Sequence, residues 1–138
     1  MSLLATVTAI LVGNLAPGAV PVPVLASAII VAAAKHGVDP TLLARIVVVE
    51  SGGKADAFNA SSDDHGLVQI NSGTAALYNI STSCLKDWKC NLDASARILK
   101  DLLAMKGATA CVYNLGPKGR FKRYQKACEN YETKLASY

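Results

Sequence analysis

The chain is poor in the residues that mark several common classes of protein. Charged side chains make up only 17% of its 138 residues, and aromatic side chains make up 6%. It has neither a glycine-rich phosphate-binding loop nor a nucleophile elbow, so nothing points to nucleotide binding or serine-hydrolase chemistry. His36 and His65 lie far apart, without the spacing of metal ligands. We therefore expect neither a metal ion nor a cofactor.

Long apolar runs are also absent. The stretch from Leu3 to Val12 is apolar but too short to span a bilayer. No Lys or Arg precedes it, whereas a secretory signal has a positive segment there. The stretch fits a weak signal, an interfacial anchor or a helix packed on a partner chain. Residues Pro17–Pro23 follow and are interpreted as a linker.

Positive charge is in small excess. The net charge of +4 is compatible with an acidic polymer as partner but does not favour one. The single basic stretch is predicted to be the solvated face of a C-terminal helix over about 119–135. Binding to an anionic cell-wall polymer is the less favoured alternative, and no nucleic acid is expected as a partner. The stretch contains Lys118, Arg120, Lys122, Arg123 and Lys126, with Phe121 and Tyr124 among them.

Four cysteines lack the CxxC spacing of zinc and redox sites. Cys84 and Cys90 would close a short loop, and Cys111 and Cys128 would join two neighbouring helices. These two disulfides are the natural pairing and indicate an oxidising compartment. Four buried free thiols are the alternative.

Cap signals and apolar spacing predict a mostly helical domain. One helix is expected over Leu25–Lys35. Asp39 and Pro40 begin the next, which runs to Glu50 through apolar residues on one face. Residues 80–90 are predicted as a loop, and Asn91 as the cap of a helix that ends at Gly107.

Glu50 is the most informative residue. It ends the apolar run 42–49, and Ser51, Gly52 and Gly53 follow it at once. A carboxylate at the mouth of an apolar helix is partly desolvated, and desolvation disfavours its charged form. Such a group can hold a proton near neutral pH and release it in a reaction. Glu50 is therefore the candidate catalytic acid.

Two further segments accompany Glu50–Gly53: Gly66–Asn71, which reads Gly-Leu-Val-Gln-Ile-Asn, and Val112–Gly116, which reads Val-Tyr-Asn-Leu-Gly. Their order and spacing resemble the lytic transglycosylases of the lysozyme-like superfamily, whose pattern is Glu-Ser, Gly-Leu-Met-Gln-Ile and Ala-Tyr-Asn-x-Gly. The resemblance covers about 25–131, and its closest likeness is to small members from phage virions and from secretion and conjugation systems. The departures include Val68 in place of Met and Lys54 in place of Asn. They bear on fine substrate positioning and leave the acid and the amide ligands intact.

The resemblance implies a mostly α, lysozyme-like single domain with a small β-turn region, over residues 24–138. Residues 1–23 form the apolar N-terminal segment and Pro/Gly linker. It also implies that Glu50 first protonates the β-1,4 bond between N-acetylmuramic acid and N-acetylglucosamine. Glu50 then acts as base while the C6 hydroxyl attacks, which gives a 1,6-anhydro end. Asp63 and Asp64 are the nearby candidates for a second carboxylate, which would make the enzyme a hydrolase like goose-type lysozymes.

Five further residues are candidate substrate ligands. Ser51 would orient a sugar acetamide or cap local backbone, and Gln69 would bind amide-rich sugars. Asn71 would bind sugar or, as favoured, cap the next helix. Tyr113 would donate its hydroxyl to Glu50, with a core aromatic role as the alternative. Asn114 would line the cleft or end its helix.

The expected partner is the glycan strand of peptidoglycan. A virion or secretion-complex protein is a further expected partner, through the segment Leu3–Val12. We expect a phage virion protein that is delivered to the host periplasm, with a bacterial periplasmic protein as the alternative. Two rivals to an enzyme stay open: a non-catalytic glycan-binding module and a structural virion subunit.

Overall fold

A computed structural model of the protein describes residues 1–138. Eight α-helices, two short 3₁₀ turns and a three-stranded sheet make up the chain. The helices are α1 (Leu3–Leu11), α2 (Val22–His36), α3 (Pro40–Ser51), α4 (Ser72–Leu77), α5 (Thr82–Lys86), α6 (Trp88–Leu103), α7 (Val112–Leu115) and α8 (Gln125–Ala136). The strands are β1 (Phe58–Asn59), β2 (Asp64–His65) and β3 (Ile70–Asn71). None of the helices combines the length and apolar character that crossing a bilayer requires.

Helix α3 forms as its cap signals predict. The Asp39 side chain accepts a hydrogen bond from the Thr41 amide at 2.9 Å, and Pro40 occupies the first turn. Gly52 ends the helix in the left-handed conformation, at φ 62°. The β-branched run does not break the helix, because Ile46 and Val47 are fully buried and burial outweighs their weak helix propensity.

The main core lies between α2, α3, α6 and α8, and α1 belongs to it. Val7 and Leu11 of α1 are fully buried in the same cluster as the core residues of α2 and α3. The segment after α1 then crosses the turn that follows Glu50. The amide of Ala16 donates to the Gly52 carbonyl at 2.8 Å, and the amide of Val20 donates to the Gly53 carbonyl at 2.9 Å. The apolar N-terminal segment thus packs on its own chain.

The small sheet confirms the expected β-turn region. Its strands run antiparallel in the order β1-β2-β3, with Phe58 opposite His65 and Asp64 opposite Asn71. Each strand is only two residues long. It folds the loop after α3 back toward the end of that helix.

Two short-range predictions around the first cysteine pair are wrong. Residues 80–90 are largely helical, because Ser81 caps α5 and Asp87 caps α6. The Asp87 side chain accepts from the amides of Lys89 and Cys90 at 3.0 and 3.1 Å. Asn91 is therefore no cap: it lies inside α6 and is fully buried.

Both predicted disulfides are present. Cys84 is bonded to Cys90 and joins α5 to α6, while Cys111 is bonded to Cys128 and joins the start of α7 to α8. No free cysteine remains. The second bond closes a longer loop, so it is expected to stabilise the fold more than the first.

The predicted basic helix over about 119–135 is wrong in its first part. Residues Gly116–Arg120 and Lys122–Tyr124 form 3₁₀ turns, and α8 begins only at Gln125. Pro117 has no amide hydrogen to donate, and Gly116 and Gly119 favour turns over helix. The basic residues thus lie mostly on turns between α7 and α8.

Candidate functional site

Glu50 lies in the last turn of α3 and lines a cleft of about 620 Å³. The cleft runs between the small sheet, α4, α6 and the α7 region. The other lining residues are Ser62, Asp64, Gln69, Ile70, Asn71, Thr74, Leu77, Tyr78, Ile98, Leu102, Met105, Tyr113, Asn114, Leu115, Gly116, Pro117 and Lys118. The three motifs, far apart in the chain, therefore meet at one surface.

The carboxyl group of Glu50 is tuned toward the protonated form. Burial is the largest cause, and it raises the pKa of Glu50 to about 7 from an ordinary value of 4.5. The nearby charge of Asp64 raises the pKa further, while a hydrogen bond from Tyr131 and the charge of Lys134 lower it. Glu50 can therefore hold a proton near neutral pH.

Tyr131 is the direct partner of Glu50. Its hydroxyl donates to Glu50 Oε2 at 2.7 Å, and burial holds the pKa of Tyr131 far above its usual value, so the hydroxyl keeps its proton. The predicted bond from Tyr113 to Glu50 is wrong, because the Tyr113 hydroxyl donates to the Val68 carbonyl at 2.7 Å. Tyr113 lines the cleft beside Glu50 and ties α7 to the Gly66–Asn71 motif.

Sequence reasoning missed Tyr131. Glu50 and Tyr131 are 81 positions apart, and nothing local marks this tyrosine. One signal was available: Tyr131 follows Cys128 by three residues and so lies on the same side of a helix. The disulfide from Cys128 to Cys111 brings that side of α8 to the Tyr113 motif.

Gln69 is held in an unusual conformation that leaves one polar atom open. Its φ of 53° lies in the left-handed region that non-glycine residues rarely adopt. The side-chain Nε2 donates to the carbonyls of Ala57 and Gly66 at 3.0 and 2.9 Å, which offsets this strain. The Oε1 atom has no partner within the protein and is free to accept a bond in the cleft.

Asn91 holds the Gly66–Asn71 motif against α6. Its Oδ1 accepts from the Val68 amide at 2.9 Å, and its Nδ2 donates to the carbonyls of His65 and Leu85 at 2.9 and 3.1 Å. Gly66 passes so close that a Cβ there would lie 2.6 Å from the Leu85 carbonyl oxygen. Only glycine fits, since its φ is also 80°.

Three other candidates have different positions. Ser51 does not line the cleft: its Oγ accepts from the Gly53 amide at 3.1 Å and caps the local turn. Asn71 lines the cleft and also caps α4, accepting from the Gly73 amide at 2.9 Å. Asn114 is exposed on the cleft wall, and its side chain makes no hydrogen bond within the protein.

The two loop carboxylates, Asp63 and Asp64, lie in different places relative to the cleft. Asp64 lines the cleft with Glu50 and accepts from the Ser62 hydroxyl at 2.7 Å. Asp63 lies outside the cleft, at φ 58°, with its carboxylate 2.8 Å from His65 Nε2. A hydrogen bond from Ser72, and after it the contact with His65, hold the pKa of Asp63 below its usual value.

One cluster has the composition of a metal site but not its chemistry. Potential ligand atoms of Cys111, Cys128 and Glu132 lie within 4.8 Å of one another. Both sulfur atoms are joined in a disulfide and cannot serve as thiolate ligands.

A family model described as the transglycosylase SLT domain matches residues 27–136, which is most of the chain. The chain belongs to this family. The SLT domain is lysozyme-like and mostly α, as the fold described above is. Members are lytic transglycosylases that act on peptidoglycan, so this SLT domain protein is an enzyme with peptidoglycan as its substrate. Neither the curated proteins nor the solved structures contain a match to it.

Proposed function

We propose that this lytic transglycosylase cleaves the β-1,4 bond between N-acetylmuramic acid and N-acetylglucosamine with Glu50 as its acid and base. The observation that carries the proposal is the state of Glu50. Its carboxyl group faces the cleft, has a pKa of about 7 and is fixed by the Tyr131 hydroxyl at 2.7 Å. A general acid works best when its pKa lies near the working pH.

The reaction needs only one proton carrier. Glu50 gives its proton to the glycosidic oxygen as the bond from that oxygen to C1 of N-acetylmuramic acid breaks. The C6 hydroxyl oxygen of the same sugar then bonds to C1, and its proton returns to Glu50. The products are a free 4-hydroxyl and a 1,6-anhydro end, no water is consumed, and the enzyme is regenerated.

The remaining cleft residues would bind and orient the sugars. Gln69 would accept a hydrogen bond from a sugar amide through its open Oε1, and Asn114 would contact an acetamide from the opposite wall. Tyr113 would give an aromatic surface beside Glu50, while its hydroxyl holds Val68. Asn71 would shape the wall through its cap on α4, and Ser51 would act only through the turn after Glu50.

Replacing Tyr131 by phenylalanine should slow cleavage about tenfold, the value of one hydrogen bond to an ionisable group. The same hydrogen bond lowers the pKa of Glu50, so its loss should move the alkaline limb of the pH–rate profile to higher pH. Turnover measured from pH 5 to pH 9 checks both effects. Tyr138→Phe removes a hydroxyl from an exposed position and serves as the control. An unchanged rate and limb would contradict the positioning role of Tyr131.

Hydrolysis is the second candidate function, and the position of Asp64 is the observation that supports it. Asp64 lines the same cleft as Glu50, as a carboxylate that activates water on the far face of the sugar must. Water attack at C1 would leave a reducing end instead of an anhydro end.

Digestion of purified peptidoglycan, with mass spectrometry of the products, separates the two reactions. Transglycosylation yields muramyl products one water lighter than those of hydrolysis. We expect anhydro products from the wild type and also from Asp64→Asn. Reducing ends that disappear in Asp64→Asn would replace our proposal by hydrolysis. No cleavage at all would favour a glycan-binding or structural role.

We place the enzyme in a phage virion from which it reaches the host periplasm and opens the wall locally for genome entry. The two disulfides support a site of action in an oxidising compartment. A conjugation or secretion system in the bacterial periplasm would offer the same conditions and is the alternative. A partner in either machine would contact the N-terminal segment, where Leu3 and Leu4 of α1 are about half exposed.

A further inference from the structure

The turns between α7 and α8 carry an isolated block of positive charge. Residues 117–126, which cover these turns and the first two residues of α8, are called here the basic turn segment and contain five cations and no carboxylate. The net charge of the whole chain is only +4, so the rest of the protein carries no positive excess. The positive field is therefore concentrated at this one place.

These cations have no acidic partners within the protein. The ion pairs of the structure lie elsewhere, between Lys35 or His36 and Asp93 and between His65 and Asp63. Unpaired cations that nothing in the protein neutralises are available to an anionic ligand.

The basic turn segment also holds several of its cations in place. Lys118 Nζ and Arg123 Cζ lie 5.3 and 5.1 Å from the centre of the Tyr124 ring. Arg120 lies over the Phe121 ring at 5.2 Å, and its Nε donates to the Pro117 carbonyl at 2.9 Å. Cation–π contacts of this kind lower the entropy that a long side chain loses when it binds a ligand.

The segment is continuous with the cleft. Pro117 and Lys118 line the same cleft as Glu50. Lys118 also contacts the ring of Tyr124, which lies directly before α8. An anion that meets this surface would therefore lie beside whatever occupies the cleft. An anionic group attached to the glycan would lie beside the cleft whenever the glycan is bound. A separate polymer such as nucleic acid is not held beside a sugar-binding cleft in this way.

We propose that the basic turn segment binds the carboxylates of the peptide stems attached to the glycan strand in the cleft. This inference rests on the proposed function, because it takes peptidoglycan as the occupant. Peptide stems carry carboxylates at short intervals along the strand, and Arg and Lys side chains bind carboxylates through charge-assisted hydrogen bonds. The enzyme would thereby prefer strands that still carry their stems over strands that have been stripped.

The test uses three exposed cations that neither line the cleft nor bond to the backbone: Lys122→Gln, Arg123→Gln and Lys126→Gln combined. The matched control removes the same charge elsewhere through Lys54→Gln, Lys86→Gln and Lys89→Gln combined. Both sets are made in Glu50→Gln protein, so that binding is measured without cleavage. The probes are glycan strands with intact stems, the same strands stripped by an amidase with the freed lactyl carboxylates converted to amides, and duplex DNA.

We expect the first set to weaken binding to stem-bearing strands about tenfold at low ionic strength, and less at high salt. Its binding to stripped strands, and the binding of the control set to both probes, should stay unchanged. Equal losses on both probes would overturn the proposal, as would equal losses in the control set or no loss at all. A loss seen only with duplex DNA would overturn it in favour of nucleic acid. The proposed function fails separately, if enzyme with Glu50 intact cleaves neither stem-bearing nor stripped strands.

Discussion

Replacing Glu50 by glutamine is expected to lower peptidoglycan cleavage by about 10²–10⁴-fold, the usual contribution of a positioned acid–base group. Glutamine has the same size and still accepts the hydrogen bond from Tyr131, but it has no proton to give. Release of anhydro-muramyl ends measures the effect. Glu129→Gln, on the exposed face of α8, is the matched control and should cleave normally. Cleavage by Glu50→Gln at the wild-type rate would remove Glu50 from the mechanism.

The same substitution should change stability in a pH-dependent way. The pKa of Glu50 is about 7 in the folded protein and 4.5 in its ordinary state, so the folded protein binds the proton more tightly. The resulting stability is fully present below pH 4.5 and is lost as the pH rises through about 7. The glutamine variant keeps its stability, so it should exceed the wild type by about 3 kcal/mol above pH 7.

Urea unfolding at pH 4.5 and at pH 8.5 gives this difference directly. The two proteins should be nearly equally stable at the lower pH. Equal stability at both pH values would mean that the carboxyl group of Glu50 is not desolvated. Activity should follow the same titration, because the acid must be protonated, and should fall as the pH rises above about 7.

Replacing Asn91 by alanine is expected to destabilise the fold by at least about 3 kcal/mol. The side chain satisfies two buried backbone groups and one part-buried group, and each unsatisfied buried group costs about 1–3 kcal/mol. The loss should also reduce activity, because Val68 and Gln69 would no longer be held at the cleft. Urea unfolding measures the stability change, provided that the slope of the unfolding free energy against urea concentration is the same for both proteins.

Ser95→Ala is the matched control for Asn91→Ala. Ser95 is equally buried on α6; its hydroxyl donates to the Leu92 carbonyl of the same helix at 2.7 Å and lies beside the Tyr113 hydroxyl. Its removal should cost about 1 kcal/mol. Similar losses for the two variants would show that Asn91 matters only as a buried polar side chain.

Local signals in the sequence were sufficient for several parts of the structure. Asp39 and Pro40 marked the start of α3, because an N-cap acts within one helical turn. The cysteine spacing predicted both disulfides. The motif order brought Glu50, Gln69 and Tyr113 to one cleft. These features depend on neighbouring residues or on a pattern shared with a family.

The missed features depend on contacts between distant residues. Asn91 resembles an N-cap in the sequence, but its side chain faces backbone groups 23 and 26 positions away. Tyr113 is predicted to donate a hydrogen bond to Glu50 because it lies in one of the three motifs. In the structure Tyr131 of α8 donates this hydrogen bond instead. The sequence predicts a basic helix from about residue 119, but the chain forms 3₁₀ turns as far as Tyr124 and α8 begins only at Gln125.

The N-terminal segment supports the end of the helix that carries the catalytic acid. Ala16 and Val20 supply donors to the two carbonyls that follow α3, and α1 covers part of the core behind that helix. A chain trimmed to residues 27–136 would leave those carbonyls without donors and uncover apolar side chains behind Glu50. The residues that support this acid therefore extend beyond those that the family model matches.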